Sequence, residues 1–426
     1  MKREDYKIHI VGAGISGLIA AKVLEKKGYK PTVIESTSEV GGRIKTDIFE
    51  GYQLDHGFQV LLNAYPKAIE YLDFQALDLQ EFLPGATIFF NGKSQTIGDP
   101  LRNLSLLFPT LLASVGSISD KLKILKLNTA LKNKTLEAIF ESKSVTTLEY
   151  LRDKGFSEAI ISKFFKPFFS GIFLEPNLET SSRMFEFVYK MFGEGLATLP
   201  KGGIGAIPQQ LKSSLTSTKF IFDTEVKAVK DEYIELANCK KIDTHFTIIT
   251  SGASKLISNL KNQEQEWKSC YNLYFETNKR TVSKPIIGLV ADKDALINNF
   301  FFHNSLKTKS KGNNELLSVT VVKHTNLSED EIVRQVEQEL QNYCKINVQR
   351  HLKTYHINQA LPKLQNLQYD MSPTETQIKP TIFLAGDYLL NGSLNAAMIS
   401  GESAANGLIM ALEDGLVVEN IASEYI

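Results

Sequence analysis

The chain has little cysteine and no metal-binding pattern. Its 426 residues include three cysteines, Cys239, Cys270 and Cys344, which lie far apart and form no Cys-x-x-Cys pair. An odd and sparse set excludes a disulfide scaffold and fits a reducing compartment, so we predict a cytoplasmic protein. His351 and His356 are close in sequence but have no cysteine nearby, which argues against a metal site.

The chain also lacks net charge and long apolar runs. Its 48 basic residues balance 48 acidic ones, which leaves no excess of cations to neutralise a nucleic-acid backbone. We therefore predict no nucleic-acid partner, although the balance is compatible with a local basic patch. No stretch reaches the roughly 20 apolar residues that a bilayer-spanning helix needs. With 43% hydrophobic and 23% charged residues the composition is that of a globular protein, and the length fits about two or three domains.

What the chain does have is a glycine-rich turn near its start. The turn stands between a predicted strand at 7–11 and a predicted helix at 18–27. Gly12 permits a tight turn, Gly14 lets the backbone approach a diphosphate, and Gly17 lets the helix pack closely on the strand. This strand–turn–helix pattern is typical of a dinucleotide-binding unit.

The residues that follow the turn support the same prediction. Ile15 and Ser16 belong to the turn that leads into the helix, whose N-terminus presents free N–H groups and the positive end of its dipole to an anion. Glu35 ends the next strand about 20 residues on, where a carboxylate accepts hydrogen bonds from ribose hydroxyls. A second glycine pair, Gly41-Gly42, is followed by Arg43, which indicates a second close approach to the cofactor and a cation for its diphosphate.

Together these motifs resemble the opening of the flavin amine oxidase superfamily of FAD-dependent oxidoreductases. The resemblance rests on Gly12-x-Gly14-x-x-Gly17, Glu35 and Gly41-Gly42-Arg43-x-x-Thr46. The superfamily includes amine oxidases, protoporphyrinogen oxidase and phytoene-desaturase-type carotenoid enzymes. FAD is therefore the implied cofactor. The cysteine that holds flavin covalently in some members has no match near 388–393, so we predict non-covalent binding.

The resemblance extends to the middle and the end of the chain. Ala385-Gly386-Asp387-Tyr388 resembles the second flavin motif, in which the aspartate bonds the ribityl chain. The segment from Ser393 resembles the start of the last helix beneath the flavin, and Val226 resembles a residue that meets the adenine through its backbone. The implied cofactor-binding residues are Gly12, Gly14, Ile15, Ser16, Gly17, Glu35, Gly41, Gly42, Arg43, Gly57, Phe58, Gln59, Val226, Gly386, Asp387, Ser393, Leu394 and Asn395.

The resemblance also implies the fold. We expect an α/β protein with a discontinuous, Rossmann-like FAD-binding domain of the glutathione-reductase type and an inserted mixed α+β substrate domain. Residues 1–60, 200–255 and 365–426 are predicted to form the FAD-binding domain, and residues 61–199 and 256–364 the substrate domain.

Two features favour the phytoene-desaturase-type members. Asp55-His56-Gly57-Phe58-Gln59 is more similar to those enzymes, and Ser393 or Leu394 stands where amine oxidases place an aromatic residue of their substrate cage. The leading prediction is hydride transfer from a substrate carbon to flavin N5, desaturating a lipophilic, isoprenoid-like substrate. An amine oxidase stays open as an alternative, as does a flavin-dependent isomerase or a silent FAD-binding module without net redox change. The pattern names no electron acceptor and no oligomeric state.

Three further features have two interpretations each. His56 and Lys166 are candidates for the catalytic base, or else structural residues. The aromatic run 164–174, with Phe185, Phe187 and Phe192, forms either core or the wall of a channel for an apolar chain. The uncharged segment 103–119 is either a membrane-surface patch that admits such a substrate or a buried helix–loop–helix.

Overall fold

The fold is known from a computed structural model, which describes residues 2–257, 260, 264–413 and 415. The strands are β1 (Ile8–Val11), β2 (Thr32–Ile34), β3 (Thr46–Phe49), β4 (Tyr52–Asp55), β5 (Leu61–Leu62), β6 (Leu79–Glu81), β7 (Gly85–Phe90), β8 (Lys93–Gly98), β9 (Ala197–Pro200), β10 (Lys219–Ile221), β11 (Val226–Val229), β12 (Tyr233–Leu236), β13 (Lys241–Asp243), β14 (Phe246–Ile249), β15 (Trp267–Thr277), β16 (Ile287–Val290), β17 (Ile297–Phe302), β18 (Glu315–Val321), β19 (Val348–Pro362), β20 (Gln377–Lys379) and β21 (Ile382–Leu384). The α-helices are α1 (Ile15–Lys26), α2 (Pro66–Tyr71), α3 (Phe74–Leu77), α4 (Leu107–Leu112), α5 (Ile118–Lys132), α6 (Leu136–Glu141), α7 (Thr147–Asp153), α8 (Glu158–Ile160), α9 (Lys166–Phe173), α10 (Ser182–Glu194), α11 (Ala206–Ser213), α12 (Ala253–Leu256), α13 (Glu329–Cys344) and α14 (Leu394–Glu413).

A six-stranded, mostly parallel sheet forms one side of the molecule. Its order is β10-β2-β1-β14-β21-β20, and every neighbouring pair is parallel except β20–β21. All four residues of β1 are buried, because a central parallel strand is covered on both faces. The chain winds from β1 outward in both directions, so the crevice between β1 and β14 is the topological switch point at which such sheets bind ligands.

This sheet draws its strands from three separate parts of the sequence. They come from residues 8–34, 219–249 and 377–384, which lie within the three segments predicted for the FAD-binding domain. Residues 414 and 416–426 of the last predicted segment lie outside the described residues, as do 258–259 and 261–263 of the substrate segment. The arrangement matches the predicted α/β class.

Helices α1 and α14 each make a close backbone contact at a glycine. A Cβ atom on Gly17 of α1 would collide with the carbonyl oxygen of Gly12, so this glycine is required for close helix–strand packing. A Cβ atom on Gly401 of α14 would collide with the carbonyl oxygen of Ser16, which brings the last helix against the first. Helix α1 begins at Ile15, three residues before the predicted start.

The rest of the chain forms a second sheet with helices around it. Its seven strands run in the order β19-β15-β18-β17-β16-β7-β8, and helices α4 to α10 come between β8 and β9 in the chain. Residues 60–195 contain several helical patterns and few turn signals, and the hairpin of β7 and β8 departs from that pattern. Asn91 and Gly92 join these strands with positive φ angles of 50° and 68°, and an Asn-Gly pair is the sequence signal for such a turn.

Two buried histidines make stability depend on pH. Burial lowers the pKa of His9 and of His303 to about 4, while each ring nitrogen lies 3.0 Å from a hydroxyl, Thr244 Oγ1 and Ser318 Oγ respectively. A lowered folded-state pKa contributes stability above pH 6.5 that is lost as the pH falls toward 4. Burial raises the pKa of Asp55 to about 6. Its contribution to stability is therefore present at low pH and is lost as the pH rises through about 6.

The contribution of one histidine can be isolated by substitution. We expect His303→Gln to flatten the loss of unfolding free energy between pH 6.5 and 4 by about 3 kcal/mol relative to the parent chain. Urea unfolding at several pH values measures this difference. His324→Gln is the control, because that side chain is exposed before and after unfolding. The account would be contradicted if the free energy of unfolding changed with pH in the same way for the parent chain and for His303→Gln.

Candidate cofactor and substrate site

One large cavity joins the nucleotide end of the molecule to its aromatic end. It has a volume of about 1910 Å³ and opens at the carboxyl edge of β1, where the glycine turn lies. It continues past β15 to side chains of α4, α5, α9 and α10. A single continuous space therefore connects the predicted cofactor residues to the predicted substrate region.

The two glycine segments lie against each other at the head of this cavity. The amide of Gly41 donates to the carbonyl oxygen of Ala13 over 2.9 Å. A Cβ atom on Gly14 would meet no heavy atom of the protein within 4 Å, and one on Gly42 would meet only the Cα atom of Gly14, at 3.4 Å. The protein therefore leaves an open cradle beside Gly14, at the N-terminus of α1, where a diphosphate fits.

Glu35 stands at the edge of the cradle with its carboxylate already oriented. Its Oε2 atom accepts a hydrogen bond from the Ala13 amide at 2.8 Å, and its Oε1 atom accepts one from the Thr37 amide at 2.9 Å. Although nearly buried, Glu35 lines the cavity. The Oε1 atom also accepts from Thr37 Oγ1 at 2.8 Å and from Ser36 Oγ at 3.3 Å, whereas the Ala13 amide is the one donor to Oε2 among the described residues. Oε2 is therefore the atom with a lone pair left to accept a hydrogen bond from a ribose hydroxyl.

Arg43 links the N-terminal motif to the C-terminal one. Its guanidinium forms an ion pair with the buried carboxylate of Asp387 and lies 5.0 Å from the ring centroid of Trp267. Both Arg43 and Asp387 line the cavity. The residues predicted to meet the diphosphate and the ribityl chain are thus brought together, although they are 344 positions apart in sequence.

Most of the other predicted residues also line the cavity. Those that do are Gly12, Gly14, Ile15, Ser16, Glu35, Gly41, Gly42, Arg43, Gly57, Phe58, Gln59, Val226, Gly386, Asp387, Ser393 and Leu394. Gly17 and Asn395 do not line it. Gly17 serves helix packing, and the side-chain oxygen of Asn395 accepts a hydrogen bond from the Lys67 amide at 3.0 Å.

Ser393 has a structural role at the start of α14. Its hydroxyl donates to Asn391 Oδ1 at 2.7 Å and accepts from the Ala396 amide at 3.0 Å, so it caps the helix whose first residue, Leu394, lines the cavity. The N-terminus of this long helix therefore faces the site and favours negative charge there.

The two candidates for a catalytic base lie in different places. His56 lines the cavity, and its Nε2 atom is 3.0 Å from Asp47 Oδ1. Burial alone would raise the pKa of Asp47, but polar contacts with Tyr355, His56 and Lys353 lower it to about 2, which keeps this carboxylate ionised. Lys166 is exposed at the first position of α9 and is not among the cavity residues, so the geometry gives no support for a catalytic role.

The aromatic run divides between the cavity and the core. Phe164, Phe168 and Ile172 line the cavity because they recur every four residues along one helical face. Phe165 and Phe169, one position on, are fully buried in the core. Each interpretation of the run is therefore right for one face.

The three later phenylalanines divide in the same way. Phe192 lines the cavity, whereas Phe185 and Phe187 belong to the core. Trp267 and Arg102 are among the cavity residues that the sequence did not predict. Trp267 is the only tryptophan of the chain, and that rarity is the one feature of the sequence that could have marked it as a site residue. Arg102 donates to the carbonyl oxygens of Phe192 and Gly195, a contact between distant segments that no local pattern reveals.

The family follows from comparison with known proteins. The model of the flavin containing amine oxidoreductase family matches residues 15–409. This chain belongs to that family. The family consists of FAD-dependent oxidoreductases, and its members bind FAD. The predicted superfamily, fold class and cofactor are thereby confirmed, and the cradle around Gly14, Glu35 and Arg43 fits such a dinucleotide.

Curated relatives within the family differ in their reactions. The chain is 29% identical to an L-amino-acid oxidase of Sistrurus catenatus edwardsii over 152 residues, which are 35% of this chain and 28% of that protein. It is 27% identical to a 1-hydroxycarotenoid 3,4-desaturase of Flavobacterium sp. (strain P99-3) over 255 residues, or 52% of this chain and 51% of that protein. The chain thus spans about half or less of the length of these relatives.

Solved structures show the same fold. A fatty acid isomerase from P. acnes, described as producing CLA, has a TM-score of 0.71 with 15% identity, covering 95% of this chain and 98% of that one. At this identity the likeness concerns the fold alone. Among the described residues, no helix is long and apolar enough to cross a membrane.

Proposed function

We propose that this protein is an FAD-dependent oxidoreductase that desaturates a lipophilic, isoprenoid-like substrate. The observation that carries the proposal is the continuity of the cavity, which begins at the cofactor cradle and ends among Phe164, Phe168 and Phe192. Bound FAD accepts a hydride at N5, so the reaction needs no protein nucleophile. The work of the protein is then to hold the cofactor, orient an apolar chain beside it and exclude water.

Two polar side chains near the apolar end, Asn299 and Lys268, already have partners in the protein. The side-chain nitrogen of Asn299 donates to Thr320 Oγ1 at 3.3 Å, and its oxygen accepts from Asn298 Nδ2 at 2.9 Å. The ammonium of Lys268 donates to the Phe173 carbonyl oxygen at 3.0 Å and to Thr180 Oγ1 at 3.0 Å. Because these groups are satisfied without a ligand, the space favours a substrate with few polar atoms.

His56 is the residue proposed to take the proton that leaves the carbon next to the oxidised one. The Nε2 atom of His56 lies 3.0 Å from the ionised Asp47, a close polar contact without the geometry of a hydrogen bond, and we assign the accepted proton to the other ring nitrogen, Nδ1. The ring also packs on Tyr355, with centroids 4.5 Å apart, which limits its rotation. Asp47 acts here as a positioning residue, since it acts through the imidazole.

Substitution of His56 tests this role. We expect His56→Gln to lower kcat about a hundredfold while KM and the FAD content stay near those of the parent chain, because only proton transfer is lost. Asp47→Asn should give a smaller loss of kcat, since the imidazole remains. Steady-state kinetics of the three holoproteins measure both constants. A kcat for His56→Gln within twofold of the parent value would remove His56 from the mechanism.

Two other reactions occur among the similar proteins, and product analysis separates them. The holoprotein is incubated with a lipid dispersion of a partly saturated polyene and an added electron acceptor, and the extract is examined by mass spectrometry. Desaturation predicts a product that is lighter by two hydrogens. An isomer of unchanged mass would favour an isomerase like the P. acnes protein. Turnover of amino acids or amines alone would favour an oxidase like the snake protein; Ser393, a helix cap rather than an aromatic wall, argues against that reaction.

A further inference from the structure

The exposed apolar side chains of this molecule are concentrated in one place. Of the large apolar side chains that are exposed in the described part of the chain, all but two lie between residues 101 and 125. These are Leu101, Leu104, Leu107, Phe108, Leu111, Leu112, Ile118, Leu122 and Leu125, here called the 101–125 patch. The two others, Ile48 and Ile69, lie elsewhere in the sequence. Single exposed apolar residues are normal, but such a cluster indicates an interaction surface.

The patch is exposed far more than a partly packed helix would be. On α4, Leu112 is 83% exposed and Phe108 73%, and Leu104, in the turn just before α4, is 80% exposed. On α5, Ile118, Leu122 and Leu125 recur at helical spacing and form an apolar stripe. The interpretation of 103–119 as a buried helix–loop–helix is therefore wrong for these side chains.

Basic residues accompany the patch in a chain whose total charge is zero. Residues 100–134 contain six basic residues and one acidic residue, Asp120. One of the six, Lys134, is ion-paired with Glu186 at 2.5 Å, which leaves five without a carboxylate partner among the described residues. Asp120 is buried and accepts hydrogen bonds from Ser117 and Ser157, so it does not offset the surface charge. Lys126 and Lys132 are exposed, and within the described residues their ammonium groups have no partner. The surface is therefore both apolar and cationic.

The patch also forms part of the cavity wall. Leu107, Leu111, Ile118, Leu122 and Leu125 are exposed and line the cavity at the same time. The cavity thus opens through the patch. Apolar side chains gain free energy when they leave water for the hydrocarbon of a bilayer. Cations beside them are attracted to anionic headgroups.

We propose that the 101–125 patch docks on an anionic lipid bilayer, with Lys126 and Lys132 at the headgroups and the apolar side chains of α4 and α5 among the acyl chains. The docking itself is independent of the reaction. Its further consequence, that a lipophilic substrate passes from the bilayer into the cavity without crossing water, rests on the proposed function.

Vesicle sedimentation tests the docking. The holoprotein is mixed with vesicles of phosphatidylcholine and phosphatidylglycerol in equal parts, or of phosphatidylcholine alone, with no substrate present. We expect binding to the anionic vesicles that weakens with salt, because charge attraction contributes to it. Phe108→Ser/Leu112→Ser should weaken binding about a hundredfold. Lys126→Gln/Lys132→Gln should weaken binding to anionic vesicles about thirtyfold, at roughly fivefold per cation.

The control is a pair of largely exposed apolar residues outside the patch, Ile48 at 70% and Ile69 at 60% exposure. Ile48→Ser/Ile69→Ser should leave vesicle binding unchanged. FAD content and circular dichroism of every variant confirm folding, since none of the substituted residues lines the cavity. No binding of the parent holoprotein to anionic vesicles would overturn the proposal. So would a concentration-dependent dimer that Phe108→Ser/Leu112→Ser abolishes while vesicles fail to bind, because the patch would then serve a second copy of the chain.

Discussion

Replacement of Gly14 by valine is expected to give a folded protein that purifies without FAD. A Cβ atom at Gly14 would meet no protein atom within 4 Å, so the fold itself does not require glycine there. The same position faces the open cradle between the N-terminus of α1 and Gly42, where the diphosphate would approach the backbone. A side chain would occupy that space. We expect FAD affinity to fall at least about a hundredfold and the melting temperature of the apoprotein to change little.

The chain provides its own reporter for this measurement. Trp267 is the only tryptophan and lies beside Arg43 on the cavity wall, so bound FAD should quench its fluorescence. Titration of apoprotein with FAD then gives the affinity directly.

Two other glycines act as controls for this prediction. Gly202→Ala should bind FAD like the parent chain, because Gly202 is not on the cavity wall and has room for a Cβ atom. Gly17→Ala should destabilise the fold itself, since its Cβ atom collides with Gly12. Normal FAD binding by Gly14→Val would show that the cradle has been misplaced.

A charge placed in the aromatic part of the cavity is expected to abolish turnover while leaving the cofactor in place. Phe168 lies on the cavity face of α9, with its ring centroid 5.5 Å from those of Phe164 and of Phe192. A carboxylate there would be costly to bring against an apolar chain, because it would lose its hydration on contact with that chain. We expect Phe168→Asp to lower kcat/KM for a lipophilic substrate at least about a hundredfold, with unchanged FAD stoichiometry.

The conservative replacement makes the comparison specific. Phe168→Leu keeps the apolar wall and should stay within about tenfold of the parent kcat/KM. An amine substrate would respond in the opposite way, since a carboxylate attracts an ammonium group. If Phe168→Asp improved the turnover of amines and left that of polyenes intact, the apolar-substrate account would be wrong.

Local patterns in the sequence predicted the cofactor end of the site. The Gly12–Gly17 turn works at short range, because strand, turn and helix termini are fixed by neighbouring residues, and the structure has them close to where the pattern put them. The pairing of Arg43 with Asp387 is a tertiary contact that no single segment specifies. The motifs indicated that both residues belong to one site, but not that they bind each other.

The substrate end of the site could be predicted less well from the sequence. A run of phenylalanines has the same composition whether it faces core or cavity, and only the helix orientation separates Phe164 from Phe165. Exposure of the 103–119 segment was likewise undetermined, because an uncharged apolar stretch fits either a core or an interaction surface. The β7–β8 hairpin is different, since the Asn91-Gly92 pair is a local signal for it in the sequence.

Anaerobic reduction of the bound flavin tests the central claim most directly. The holoprotein, free of oxygen and of any added acceptor, is mixed in turn with a partly saturated polyene, a fatty acid, a polyamine and an L-amino acid, and the visible absorption of the flavin is followed. The account predicts that the polyene alone bleaches the flavin, with one new double bond formed per flavin reduced. Bleaching by the amine or amino acid and none by the polyene, or conversion of the polyene with the flavin left oxidised throughout, would contradict it.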